Sequence, residues 1–330
     1  MLVLPRQMIS SGNCLACGSA DLAPLRAYRS ESPAGRRLFS GQLCRCASCS
    51  LVQLSPVPSD DELNRYYARD YRSGGRYGGN AADLANFPRD NLFFFNRGEA
   101  VGDLLEKHLG DRSPHKILDV GAGFGHILHR LGERFPAAEL HAHELSEPCV
   151  AHLRGIGVAV HERPLPEVVA EAGPFDIVVL SHVLEHLRDP VGVLRLLGRH
   201  LSAGGLLSVE VPHVTTDTLL SWDDSPWAPR HDEPHLTFFG APELRSLLER
   251  SGYDLRFLQS AGPHWRRVSR LRYHLPPLMP TLRRAIPEGL QRALRRRSAV
   301  AVDPSAARWP AFHAYGGHRI WLRAIATFTG

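Results

Sequence analysis

No apolar run in the 330-residue chain is long enough to cross a bilayer. The first ten residues, MLVLPRQMIS, turn polar too early for a secretory leader. Both absences point to a cytoplasmic protein, with at most peripheral contact at the inner membrane surface. Low-complexity segments are scarce. With 43% hydrophobic and 22% charged residues, the composition is that of a folded globular protein rather than a disordered one. The length allows a large core with one or two appendages. Cysteine almost vanishes after residue 50: five of six precede it, and Cys149 stands alone. This excludes a disulfide scaffold spread through the fold and suggests a local metal site. Strong overall charge is also lacking, since the net is +5. The basic residues are concentrated, however. Residues 262–300 hold ten Arg against a single acid, Glu288.

What is present begins with two C-x-x-C knuckles, Cys14-Leu-Ala-Cys17 and Cys46-Ala-Ser-Cys49, with 28 residues between them. Each knuckle offers two thiolates from a tight turn, and four thiolates complete a tetrahedron around zinc. RRLFSGQLCRC, between them, alternates like a strand of a zinc ribbon. Cys44 competes with Cys46 for one ligand place. A closed four-cysteine site leaves no open position, so its zinc is structural. No βαβ pattern surrounds either pair, which disfavours a redox role. SDDELNRYYARDYRSGGRYGG follows, with Ser59 or Asp60 as a helix cap and four tyrosines in 12 residues. The expectation is a linker helix packing its rings on a neighbouring domain. In a sharper reading, Tyr67 or Tyr71 faces the active site. A longer helix, about 94–109, leads into the main domain.

HKILDVGAGFGHIL, residues 115–128, is strand, glycine-rich turn, helix. Such a turn brings backbone N–H groups close to a ligand. A dinucleotide fingerprint needs a third small residue at position 126, where this chain has His126. The third glycine comes one place early, at Gly125. G-x-G-x-G after a strand bearing an acid is the pattern of S-adenosylmethionine (SAM) methyltransferases. SAM has no phosphate and carries a cationic amino group and sulfonium, which Asp119 helps to hold. The candidate cofactor residues here are Asp119, Gly121, Ala122, Gly123 and Gly125. Further on, AELHAHELS puts Glu144, with Leu145 beside it, at the end of a second strand. A carboxylate there accepts both ribose hydroxyls of an adenosine. VAVHE places His161 and Glu162 near the adenine.

Residues 181–187, SHVLEHL, contain His-x-x-Glu-His, the spelling of an inverted zinc protease. FDIVVL before it reads as a fourth parallel strand, which puts Ser181 and His182 at a strand end. A protease needs both histidines one helical turn apart. The expectation is therefore that Ser181 and His182 line the cofactor crevice, while Glu185 and His186 fix the loop and helix start. The helix that follows is expected to be interrupted early by Pro190.

Together ILDVGAGFG, HELS, FDIVVLSHVLEHLRDP and GGLLSVEVP resemble the successive motifs of class I SAM-dependent methyltransferases. The resemblance covers roughly residues 95–260, with a last strand near 317–327. It implies an α/β, Rossmann-like, seven-stranded and mostly parallel sheet with one antiparallel strand and SAM over the glycine loop. Residues 14–77 are similar to a narrower group, the bacterial nucleotide-sugar C-methyltransferases with a small N-terminal zinc-binding module of four cysteines. The implied organisation is a zinc-ribbon-like module at 1–57, a Tyr-rich linker at 58–92 and a methyltransferase domain at 93–330. An Arg-rich cap at 262–316 is inserted in that domain. Those C-methyltransferases have a Glu-His pair before an aromatic run, whereas here Pro234 precedes His235 and the nearest acid is Glu233. O-methylation needs only one base and a positioned acceptor. His235 is the candidate general base, with Glu233, His231 and Tyr71 as further catalytic candidates. Trp222 and Trp227 are candidates for stacking on the acceptor.

The expected reaction is methyl transfer to a nucleotide-linked, lipid-linked or polysaccharide sugar. The Arg-rich cap suits a diphosphate or anionic lipid. An rRNA methyltransferase is the second reading. It is disfavoured because prolines break the basic segment and the ribbon is only mildly positive. A non-catalytic SAM-binding interaction protein is the third.

Overall fold

The computed structural model describes residues 12–31, 37–69, 92–214, 235–261 and 321–330. The N-terminal strands are β1 (Leu22–Glu31), β2 (Arg37–Cys46) and β3 (Val52–Ser55). They pair antiparallel in that order. Helix α1 (Asp60–Arg69) starts on a reciprocal cap. Ser59 N–H donates to Glu62 Oε2 at 2.7 Å, and Glu62 N–H donates back to Ser59 Oγ at 3.3 Å. Tyr66 is buried on this helix and meets Phe39 edge-on at 5.5 Å, so it packs against the module that precedes it.

The main domain contains α2 (Leu92–Leu109), β4 (Lys116–Val120), α3 (His126–Arg134), β5 (Glu139–His143) and α4 (Glu147–Gly155). It continues through β6 (Ala159–His161), α5 (Leu165–Ala172), β7 (Phe175–Ser181), α6 (Pro190–Arg199) and β8 (Leu201–Pro212). It ends with β9 (Thr237–Phe238), α7 (Ala241–Arg250), β10 (Tyr253–Ala261) and β11 (Trp321–Phe328). Seven strands form one sheet in the order β10-β11-β8-β7-β4-β5-β6. β4 through β8 are parallel, and β11 runs antiparallel between β8 and β10. This is the expected class I methyltransferase sheet. The central strands β4 and β7 are covered on both faces, so Ile117, Leu118, Val120 and Ile177–Leu180 are apolar and buried without alternation.

Pro190 does not interrupt a helix, contrary to the sequence expectation. It begins α6, with Asp189 as N-cap accepting from Gly192 N–H at 2.8 Å. Its missing N–H falls where a helix has no acceptor to offer. Before it lies only a single 3₁₀ turn, Leu184–His186.

The two sheets share chain. β9, from the main domain, is the fourth strand of the N-terminal sheet and pairs with β3 at Val52↔Phe238 and Gln53↔Thr237. Tyr28, Leu43, Leu54, Val214, Leu236 and Phe238 form one apolar cluster across that junction. A second cluster runs from Cys14, Cys46 and Leu51 into Leu184, Leu187, Phe239 and Leu244. Burial of this size holds module and domain together, at about 25 cal/mol per Å² of apolar surface removed from water.

Candidate active site

The glycine loop joins β4 to α3 at the C-terminal edge of the parallel strands. Gly121, Gly123 and Gly125 have φ of 71°, 56° and 73°, the left-handed region that glycine enters without steric cost. Their surroundings differ. A Cβ on Gly121 would stand 2.7 Å from Val183 Cγ2, and one on Gly125 would stand 2.5 Å from Leu153 Cδ2. A Cβ on Gly123 would meet nothing within 4 Å. The outer glycines therefore pack on the protein, and the middle one faces open space.

Glu144 follows β5 and is tied to that loop. Its Oε2 accepts from Gly123 N–H at 2.8 Å, and its Oε1 accepts from Leu145 and Ser146 N–H at 2.9 and 2.8 Å. Three backbone donors fix the carboxylate and leave lone pairs for a ligand. Leu145 beside it is 44% exposed, while Ala122 is half-buried. His161 stacks on His141, with His141 Nδ1 2.9 Å from His161 Nε2, and Glu162 pairs with Arg154. Asp119 is buried in β4. Burial pushes its pKa up to about 8, against the pull of Arg97 and with a further push from Glu144. His126 is held neutral, its pKa pushed down to about 3 by burial and then by Arg97.

At the neighbouring edge, Ser181 ends β7 and His182 follows with φ 55°, a strained value for a side-chain-bearing residue. His182 N–H donates to the Glu210 carbonyl at 2.8 Å. Its Nδ1 stands 3.3 Å from Glu185 Oε1 and its Nε2 3.5 Å from Glu210 Oε1. Burial and Arg97 push the His182 pKa down, but the two carboxylates outweigh them and raise it. Glu210, fully buried on β8, is held by Arg97 Nε at 2.6 Å and by Arg323 of β11. These guanidinium groups hold its carboxyl well below the usual range despite burial. Arg97 also donates to Ser181 Oγ, and both arginines lie 5.5 Å from the Trp321 ring centre.

Sequence reading missed Arg97, Glu210 and Arg323. The signal was there for the last two: each is the one charge inside an apolar strand run, GGLLSVEVP and WLRAIATF. His182 and His186 do not share a helical face, as expected. His235 is buried and lies against His186, ring centres 4.9 Å apart. Tyr71, His231, Glu233, Trp222, Trp227 and the 262–316 insertion lie outside the described residues.

The four knuckle cysteines come together, their sulfurs within 4.8 Å of one another. Cys14 Sγ is 3.5 Å from Cys49 Sγ, and Cys17 Sγ is 3.6 Å from Cys46 Sγ. A zinc tetrahedron with bonds of about 2.3 Å has edges of about 3.8 Å, so the set fits that ion. Gly18 and Ser50, each just after a knuckle, close the turns at φ 76° and 64°. Burial raises the Cys46 thiol, but the N–H groups of Cys49 and Ser48 and the facing thiols outweigh it and bring it to about 7. Cys44 is outside the group of four.

A family model described as "Methyltransferase domain" matches residues 94–256. The chain is 28% identical over 151 residues to the ubiquinone biosynthesis O-methyltransferase of Caulobacter sp. (strain K31), covering 42% of this chain and 60% of that protein. It is 30% identical over 161 residues to the trans-aconitate 2-methyltransferase of Pseudomonas paraeruginosa (strain DSM 24068 / PA7), covering 46% and 55%. The chain thus spans a little over half the length of these relatives. A similar solved structure is the plantazolicin methyltransferase BpumL in complex with SAH, at 16% identity over 81% of this chain and 94% of that one, with a TM-score of 0.48. The glycine loop, Glu144 and the β7 edge all fall within 94–256, the segment that matches the methyltransferase-domain model, and they sit on a Rossmann-like sheet of the methyltransferase fold.

Proposed function

We propose that the chain transfers the methyl group of SAM to a polar acceptor, a sugar in nucleotide-linked, lipid-linked or polysaccharide form. The observation that carries the cofactor half is the Gly123–Glu144 arrangement. The open glycine faces a carboxylate already oriented by three N–H groups, and exposed Leu145 offers apolar surface to an adenine. Asp119 takes the cationic amino end, whose charge favours the ionised carboxylate. Ser181 and His182 border the methyl-donor side.

Methyl transfer requires the acceptor atom in line with the methyl–sulfur bond and a group to take its proton. His235 is the proposed acceptor of that proton, with His231, Glu233 and Tyr71 as further candidates. Pro234 stands where the sugar C-methyltransferases have Glu, which favours a hydroxyl oxygen over a carbon as the acceptor. Zinc on Cys14, Cys17, Cys46 and Cys49 would hold the module, and the 262–316 arginines would contact a diphosphate or anionic lipid.

The test is release of S-adenosylhomocysteine from SAM with a panel of nucleotide-sugars. The panel also holds a catechol and a tricarboxylate, because similar proteins are named for ubiquinone biosynthesis and trans-aconitate methylation, and rRNA for the second sequence reading. Turnover on a nucleotide-sugar, with NMR locating the new methyl, supports the reading. Turnover confined to the catechol, the tricarboxylate or RNA overturns its sugar half.

A further inference from the structure

The His-x-x-Glu-His spelling does not form a protease-like metal site, because His182 is turned toward Glu210 and Trp321. The same turn builds a different cluster. The 3₁₀ turn Leu184–His186 directs the Glu185 side chain inward, where it is 1% exposed, with His186 beside it. The chain returning into β9 then lays His235 against both. Its position is fixed by the backbone of the next residue: Leu236 N–H donates to the Glu185 carbonyl at 2.8 Å, and the Leu236 carbonyl accepts from Leu54 N–H at 2.9 Å. One ligand atom from each of Glu185, His186 and His235 falls within 4.8 Å of the other two.

Glu185 is a buried carboxylate whose counter-charge is not permanent. Among the described residues its ion pairs are to histidines alone, His182 at 3.3 Å and His186 at 3.9 Å from Oε1. Neither oxygen accepts a well-formed hydrogen bond among the described residues. Glu210, by contrast, has two arginines. An ionised carboxylate in such a place is costly unless a cation neutralises it. Two imidazoles and a carboxylate are the donor set of zinc and its first-row neighbours, at about 2.0–2.2 Å from the ion. Closing on an ion requires the three ligand atoms to approach to about 3.5 Å of one another, a side-chain adjustment of about 1 Å.

We propose that Glu185, His186 and His235 bind a divalent transition-metal ion of the zinc class. This site shares no ligand with the four cysteines and does not depend on the acceptor being a sugar. His182, 3.3 Å from Glu185 Oε1, orients the carboxylate from outside the ligand set. Three protein ligands leave one position for water or an acceptor oxygen, whose proton the ion makes easier to lose. A ligating His235 nitrogen is not a base, so with the ion bound the acceptor would ionise on the metal and lose its proton to solvent rather than to His235.

The experiment titrates Co2+ into full-length, metal-stripped protein and follows the visible spectrum, with elemental analysis of the zinc-loaded chain. Cobalt on the cysteines shows intense thiolate charge transfer; cobalt on Glu185, His186 and His235 shows d–d bands without it. The expected result is a second, thiolate-free phase and about two zinc ions per chain in place of one. His186→Asn and His235→Asn should each remove that phase and keep the thiolate bands, with S-adenosylhomocysteine binding as the check on folding. A wild-type titration with thiolate bands alone overturns the proposal, whatever the variants do. So does a second phase that survives in folded His186→Asn. Failure of SAM binding would overturn the methyl-transfer reading and leave the cobalt result standing.

Discussion

Asp119 is where sequence and structure meet most directly, and its environment gives a pH-dependent prediction. The strand-acid before a glycine turn was legible because its neighbours are adjacent in sequence. Its pKa was not legible, because burial is a property of the folded sheet. In the ligand-free chain burial holds this carboxyl protonated up to about pH 8. An unfolded Asp titrates near pKa ~3.9, so the folded state binds the extra proton. The stability this group contributes is full below that value and is lost as pH rises toward 8. Asp119→Asn, neutral throughout, should therefore gain in Tm over the wild type as pH goes from 5 to 8. S-adenosylhomocysteine affinity should move the other way in the wild type. It should strengthen with pH over the same range, because the ligand's ammonium favours the ionised carboxylate, and the asparagine variant should flatten the profile. Calorimetry in buffers of different ionisation enthalpy reads the proton released. Two of the loop glycines make the companion test. Gly123→Ala should cost only the left-handed strain, about 1 kcal/mol, while weakening cofactor binding ten-fold or more. Gly121→Ala adds a 2.7 Å contact with Val183 and should lose about 2–4 kcal/mol in denaturant melts.

Most elements were legible because their periodicity is local: FDIVVL became β7, and RRLFSGQLCRC became β2. Pro190 was misread because a proline after a histidine-rich turn looks the same whether it breaks a helix or begins one. The Asp189 cap decides between them. β9 could not be read at all. It has two residues, and its partner β3 lies far away in sequence, at Val52↔Phe238. That pairing gives the N-terminal module a mechanical part. Cys46 ends β2, β2 pairs β3, β3 pairs β9, and His235 immediately precedes β9's anchor Leu236. Cys46→Ser, or chelation of the zinc proposed for the four cysteines, should loosen this chain of pairings. The expected outcome is a Tm lower by several degrees and acceptor turnover reduced about ten-fold or more. S-adenosylhomocysteine affinity should change less than about three-fold, because the glycine loop and Glu144 lie on the other sheet. Equal losses in both would show that the module supports the whole domain and not the acceptor edge.

At the scale of the molecule, α2, β7, β8 and β11 are joined by charges within an apolar interior. Glu210 of β8 faces Arg323 of β11 in register, and Arg97 of α2 reaches both Glu210 and Ser181. The pairing was hidden in the sequence because Glu210 and Arg323 are 113 residues apart. Only the antiparallel insertion of β11 beside β8 makes them neighbours. Such a lattice specifies that neighbour, since any other strand beside β8 would leave the buried carboxylate with Arg97 alone and without the second guanidinium. Glu210→Gln leaves two arginines facing a neutral amide and should destabilise by about 3–5 kcal/mol in urea melts. Glu210→Met combined with Arg323→Met removes one charge of each sign and should recover part of that loss, with Arg97 still deprived of the Glu210 carboxylate. A double variant no more stable than Glu210→Gln would mean that Arg97 sets the cost alone. The folded-state pKa of Glu210 lies well below the ordinary carboxylate value. Its stabilisation is therefore present above about pH 4 and is lost as pH falls through the folded value. Acid unfolding of the wild type should accordingly be steeper than that of the double variant, because protonating one buried side chain releases a helix and two strands together.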